Sequence, residues 1–249
     1  MNPQDHLIRQ TDIYDFDSIV DIGTGTGAAA RHFAGRCSRV LATGYDMASY
    51  LGQPLPSTVQ VLAGEDVCSM AAIGDGEMDA VWCAHVLEHV PDTGRALAEI
   101  RRILRPGGWL FLSLPEYSPF VVGGHVTPGW NLGILMYALI LAGFNVRDGA
   151  FVNHCWNVTA FVQRGEPVSL PLRHDRGDIE TLAPLFPKGL QAHQGMDGDM
   201  LRLNWEWAPA IAAEAERAFG RAVWRRRLHG LVPPALRHAV RAAKLKGRG

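Results

Sequence analysis

Three groups of residues have types and spacings suited to chemistry. The first is Asp21-Ile22-Gly23-Thr24-Gly25-Thr26-Gly27, a carboxylate followed by three glycines at alternate positions. It lies between the apolar run Ile19, Val20, Ile22 and the helix-favouring stretch Ala28-Ala29-Ala30. Such glycines permit a sharp turn and a close backbone approach to a ligand, and the free N–H groups of the helix that follows face the crevice. The second group is the carboxylates Asp46 and Asp66, which follow the apolar runs 40–45 and 59–63; Glu65 is an alternative to Asp66. The third is a set of histidines, His85, His125 and His89, in that order of preference as a general base, since a neutral imidazole accepts a proton near pH 7. His154 reads as hairpin structure, and Glu116 and Tyr117 are further candidates for acceptor contact.

Gly23, Gly25 and Ala28, with Asp46 downstream, also satisfy the relaxed dinucleotide fingerprint. Asp21 argues against a dinucleotide. A carboxylate immediately before the turn would repel a pyrophosphate at close range. It suits a cationic ligand without phosphate, and S-adenosylmethionine, with its sulfonium and ammonium groups, has that character.

The elements that must position these residues follow from periodicity. Strands are expected at 17–22, 40–45, 59–63, 78–83 and 109–114, with helices at 26–35 and 96–104. Leu97, Ile100, Ile103 and Leu104 form the apolar face of the latter helix, which Arg105-Pro106-Gly107-Gly108 stops. Pro54 and Pro56 keep any helix after Asp46 short. Residues 1–16 are a polar lead-in with about one helical turn, and a loop spans 115–130. An apolar helix at 131–142 precedes strands at 144–152 and 156–163. In a doubly wound sheet, the carboxyl ends of the strands open on one crevice, where Asp46 and Asp66 would stand.

Three separated motifs in order, Asp21-x-Gly23-x-Gly25-x-Gly27, Leu87-Glu88-His89-Val90 and Arg105-Pro106-Gly107-Gly108, resemble those of class I S-adenosylmethionine-dependent methyltransferases. The resemblance covers about residues 17–164. It implies a Rossmann-like seven-stranded α/β sheet, mostly parallel, ending in an antiparallel C-terminal hairpin. It implies S-adenosylmethionine as cofactor, held by Asp21, Gly23, Thr24, Gly25, Gly27, Asp46, Met47, Asp66, Val67 and Cys83. Asp46 would accept from the ribose hydroxyls and Asp66 from the adenine amino group, beside the backbone and apolar wall of Val67. The apolar helix at 131–142 would then be core packing. A methyltransferase domain over 1–165 and a C-terminal extension over 166–249 follow. Residues 173–205 resemble tails of bacterial methyltransferases of surface-polysaccharide synthesis. The expected acceptor is therefore a small molecule or a glycan intermediate, methylated on oxygen. Rival readings are a nicotinamide-dependent oxidoreductase and a non-catalytic protein that binds S-adenosylmethionine as a regulatory ligand.

The four cysteines are far apart and form no C-x-x-C, which argues against zinc and disulfides, so no metal site is expected. No signal peptide is legible at the N-terminus, and the longest apolar run falls short of the roughly 20 residues that span a bilayer. The expectation is a cytoplasmic protein. Of 24 basic residues ten lie in 217–249, which has no acid, leaving fourteen against 25 acids elsewhere. This basic tail has three readings: a solvated end, a peripheral contact with the anionic inner membrane face, or a nucleic-acid contact. Nucleic acid comes last, because the tail has one aromatic after Phe219 where stacking would want more.

Overall fold

In the computed structural model, residues 3–118, 121–154, 156–175 and 178–187 are described. The expectations for 188–249, including the basic tail, lie outside the described residues, as does Cys155.

Seven strands form one sheet: β1 (Ser18–Ile22), β2 (Arg39–Gly44), β3 (Val59–Ala63), β4 (Met78–Ala84), β5 (Leu104–Pro115), β6 (Phe144–His154) and β7 (Asn157–Arg164). Their order is β3-β2-β1-β4-β5-β7-β6. The first five are parallel, and β7 runs antiparallel to both β5 and β6. This is the expected α/β architecture. The central strands are buried on both faces, as parallel sheets require. Chain order reverses between β1 and β4, so the crevice beyond their carboxyl ends is the topological switch point.

The helices are α1 (Pro3–Gln10), α2 (Ala28–Ala34), α3 (Met47–Tyr50), α4 (Thr93–Ile103), α5 (Leu132–Leu141) and α6 (Asp178–Leu182). The lead-in forms a two-turn helix and a 3-10 turn at Thr11–Ile13, more structure than its polar composition suggested. α3 has four residues, as the prolines downstream of it imply. α4 presents Ala96, Leu97, Ile100 and Ile103 to the core. α5 buries Leu132, Leu135, Met136, Leu139 and Ile140, so its apolar character serves packing. No helix among the described residues is long and apolar enough to cross a membrane.

One boundary differs from expectation. Arg105-Pro106-Gly107-Gly108 lies within β5, at a register shift between Met78 and Ala80 of β4, with Gly107 at φ +71°. The stop to α4 and the bulge in β5 are thus one feature. Beyond β7, residues of the described 166–187 segment also pack on the sheet's core. Leu182 and Phe186 are 0% and 2% exposed and join the hydrophobic core, with Val168, Leu172 and Leu185 packed against it.

The Arg105-Pro106-Gly107-Gly108 motif and its upstream arginines act away from the crevice. Arg102 donates to both carboxylate oxygens of Glu99, at 2.9 and 2.7 Å, to Asp75 and to the carbonyls of Met70 and Ile73. Glu99 in turn accepts from the Met70 amide at 2.7 Å. Arg101 reaches the carbonyls of Gly143 and Gly165. These side chains fasten α4 to the segment before β4 and to the β6–β7 edge.

Candidate active site

A cavity of about 800 Å³ opens at the switch point. Four segments line it, each following a parallel strand: the turn after β1 (Gly23, Thr24, Gly25), the end of β2 (Asp46, Met47, Tyr50), the loop after β3 (Glu65 to Cys68), and the stretch from His85 to Arg95 after β4. The volume suits a ligand of cofactor size.

The turn is built by two different demands on glycine. Gly25 has φ +51° with no neighbour crowding its α-carbon, so its backbone conformation alone calls for glycine. Gly23, at φ +69°, has an additional requirement: a β-carbon there would run into the Val86 side chain. That close approach lets the loop after β4 pack over the turn. Thr24 is held by its amide on the Thr43 carbonyl at 2.9 Å and by its hydroxyl on the Asp21 carbonyl, also 2.9 Å.

Not every residue expected on the cofactor lines this cavity. Gly23, Thr24, Gly25, Asp46, Met47, Asp66 and Val67 do; Asp21, Gly27 and Cys83 do not. Asp21 is 2% exposed, and its carboxylate accepts from the Ala30 amide of α2 at 3.1 Å, beneath the turn. Burial pushes its pKa up to about 7, against the opposing pull of that amide. Gly27 caps α2 at φ +80°, and a β-carbon there would crowd Leu55 and Arg31, so its glycine serves packing. Cys83 is fully buried in β4, paired with Ile22 and Leu112, and burial raises its thiol pKa. Alternation along the strand turns it into the core.

The carboxylates at the cavity have secondary duties. Asp46 caps α3, with Oδ1 accepting from the Ser49 amide at 3.2 Å. Asp66 Oδ1 accepts from the Cys68 amide at 2.9 Å. Glu65 lines the cavity as well, so the choice between it and Asp66 for a basic ligand group stays open. In all, Asp46, Glu65, Asp66 and Asp92 face the cavity with Arg95 as the lining cation. That charge balance repels a pyrophosphate and suits a ligand bearing sulfonium and ammonium groups. Tyr45 and Tyr50, 74% and 67% exposed, line the same cavity.

The histidines come together more closely than their spacing suggested. His85 sits directly after β4 at φ +58°, a left-handed conformation strained for a residue with a β-carbon. Its Nδ1 lies 3.1 Å from Glu88 Oε1. A carboxylate oxygen accepts there, so Nδ1 carries the hydrogen, which in the neutral ring leaves the lone pair on Nε2. His89 lies on a 3-10 turn (Leu87–His89) and also lines the cavity. His125 does not line it, but its ring stands edge-on to that of His89, centroids 5.0 Å apart. Glu116 and Tyr117 lie outside the lining; the Tyr117 amide pairs with the Trp130 carbonyl at 3.0 Å. Sequence reasoning missed the role of Glu88, which is 1% exposed. Its spacing three residues after His85 was the available signal.

A family described as a methyltransferase domain matches residues 20–112. The chain is 35% identical over 104 residues to a ubiquinone biosynthesis O-methyltransferase of Chromobacterium violaceum, covering 38% of this chain and 43% of that protein. It is 29% identical over 168 residues to the protein of that name from Albidiferax ferrireducens, covering 64% and 62%. The chain thus spans less than two thirds of the curated relatives it matches. Among solved structures, it resembles a Burkholderia thailandensis 1,6-didemethyltoxoflavin-N1-methyltransferase with bound 1,6-didemethyltoxoflavin and S-adenosylhomocysteine. The TM-score is 0.53 at 20% identity, over 66% of this chain and 78% of that one. A SAM-dependent methyltransferase from Archaeoglobus fulgidus gives a TM-score of 0.54 at 13% identity, over 64% and 92%. At these identities the likeness establishes a shared fold.

Proposed function

We propose that this chain, whose residues 20–112 match a methyltransferase-domain family, is a class I S-adenosylmethionine-dependent enzyme that transfers a methyl group to an oxygen atom of a small-molecule acceptor. The acceptor class includes glycan intermediates. The observation that carries this reading is one cavity at the switch point, lined by four carboxylates and by an imidazole held through Nδ1. The O-methyltransferase names of the curated relatives support oxygen as the accepting atom.

The bound cofactor supplies an electrophilic methyl group on a cationic sulfur. The chain's own residues bind, align and manage the proton. Backbone groups of the Gly23–Gly25 turn pass close to the ligand. Asp46 accepts from the ribose hydroxyls while Oδ1 keeps its cap on α3. Glu65 or Asp66 accepts from the adenine amino group beside Val67. Asp21 lies beneath the turn, outside the cavity lining, and holds α2 to β1 through the Ala30 amide. Alignment of acceptor oxygen and methyl carbon is the largest contribution, worth up to about 7–11 kcal/mol. His85 Nε2 receives the acceptor's hydroxyl proton, and Glu88 holds that ring in place as a positioning residue.

A labelled-methyl transfer assay tests the reading. Purified chain and tritium-labelled S-adenosylmethionine are incubated with fractionated cell extract. Label in a low-molecular-mass or glycan fraction, stable to mild base as an ether is, supports it. Label confined to protein or nucleic acid, or no transfer despite S-adenosylhomocysteine binding, contradicts it.

A further inference from the structure

Beside the cavity, Glu88, His89 and His125 converge on one point. Each offers one ligand atom, and the three atoms lie within 4.8 Å of one another. Glu88 and His89 come from the 3-10 turn after β4, and His125 comes from the loop between β5 and α5. The two segments are tied together, since the Val126 amide donates to the Glu88 carbonyl at 2.8 Å.

Two further features point to an ion. Glu88 Oε2 is buried and has no hydrogen-bond partner, although Oε1 is engaged by His85. A native protein seldom leaves a buried carboxylate oxygen unmatched, and a cation beside it removes the anomaly. His89 Nδ1 lies 2.7 Å from the Gly124 carbonyl, to which it must donate. That bond fixes the tautomer with the Nε2 lone pair free, the outer contact that metal-ligating imidazoles make. Two imidazoles and one carboxylate are a donor set that first-row divalent ions accept with coordination positions left open.

We propose that Glu88, His89 and His125 bind a divalent first-row transition ion, with zinc as the working probe. The expectation of no metal considered only cysteine spacing, and this site uses none. His89 belongs also to the cavity wall, so the ion stands at the cavity's edge. An open position there takes an oxygen-donor acceptor and favours loss of its hydroxyl proton, which passes to His85. The role toward the acceptor rests on the methyl-transfer reading; ion binding itself does not.

The full chain is stripped with a chelator, and Zn²⁺ is titrated in competition with a chromophoric chelator. The visible spectrum with Co²⁺ is recorded in parallel, and S-adenosylhomocysteine binding is measured on the same preparation. The expected result is about one tightly bound equivalent, weakened at least ~10-fold in His125→Ala and in Glu88→Gln, with His32→Ala unchanged. The cobalt bands should weaken in the same two variants. His125 lies on a loop, so its variant keeps the test open if Glu88→Gln fails to fold. No stoichiometric zinc, or His125→Ala binding it as tightly as the unaltered chain, overturns the site. Failure of S-adenosylhomocysteine to bind counts separately, against the methyltransferase reading.

Discussion

His85 Nδ1 and Glu88 Oε1 stand 3.1 Å apart, one residue half-exposed at the cavity wall and the other buried behind it. The pair turns a solvent-facing imidazole into one with a set tautomer and direction. It requires His85 to adopt a left-handed backbone conformation immediately after β4. Strain at that position is accepted because the strand end, the Val86 contact with Gly23 and the Glu88 bond together fix it.

Replacing His85 with alanine removes the proposed proton acceptor and leaves the carboxylates that line the cavity. We expect kcat to fall about 10²–10⁴-fold while S-adenosylhomocysteine affinity stays within a few-fold. Steady-state kinetics and calorimetry on one preparation read both. An unchanged kcat would remove His85 from the reaction.

Asp21 links the turn to pH. Burial lifts its folded pKa to about 7, above the usual carboxylate range, so the protonated form favours folding. That contribution is complete below about pH 4 and is lost as pH rises through 7. Asn in place of Asp keeps an acceptor for the Ala30 amide and cannot ionise. Without cofactor, Asp21→Asn should therefore match the unaltered chain at pH 4 and exceed its stability at pH 8 by up to ~4 kcal/mol. Urea unfolding at the two pH values measures this; parallel curves would contradict it.

Arg102→Leu should destabilise the fold by about 1–3 kcal/mol, since Glu99 would keep only the Met70 amide. Cofactor affinity should be little changed because the cluster is remote from the cavity. Thermal unfolding with and without S-adenosylhomocysteine separates the two effects. A large loss of affinity in a folded variant would mean that the cluster shapes the site.

Gly23→Ala carries both a left-handed backbone cost of ~1–3 kcal/mol and a collision with Val86. Restoring space with Val86→Ala in the double variant should recover part of the stability. Denaturation of the two single variants and the double one gives the coupling; strict additivity would show that Val86 does not press on the turn.

Much of this was legible in the sequence because the information was local. The run ending at Ile22, the glycines after it and the alanines of α2 give strand, turn and helix without tertiary knowledge. The parallel strands likewise show as short apolar runs. What was illegible depends on partners far along the chain. Asp21 was read as facing the ligand, but alternation within β1 and the amide of Ala30 place it underneath. Gly27 answers to Leu55 and Cys83 to its neighbouring strands, so neither is exposed to the cavity. The Arg105-Pro106-Gly107-Gly108 segment reads as a helix stop in isolation and becomes a bulge only when β4 is beside it. The convergence of His125 on Glu88 and His89 depends on a loop whose path nothing in its composition specifies.

The most direct test of the central claim is calorimetric titration of S-adenosylhomocysteine into the full chain and into Asp46→Ala, with a nicotinamide dinucleotide as comparison. We predict one site per chain, an affinity loss of at least ~10-fold in the variant from lost charge-assisted hydrogen bonds, and no dinucleotide binding. Equal affinity in the variant, or dinucleotide binding without S-adenosylhomocysteine binding, would contradict the assignment of this cavity.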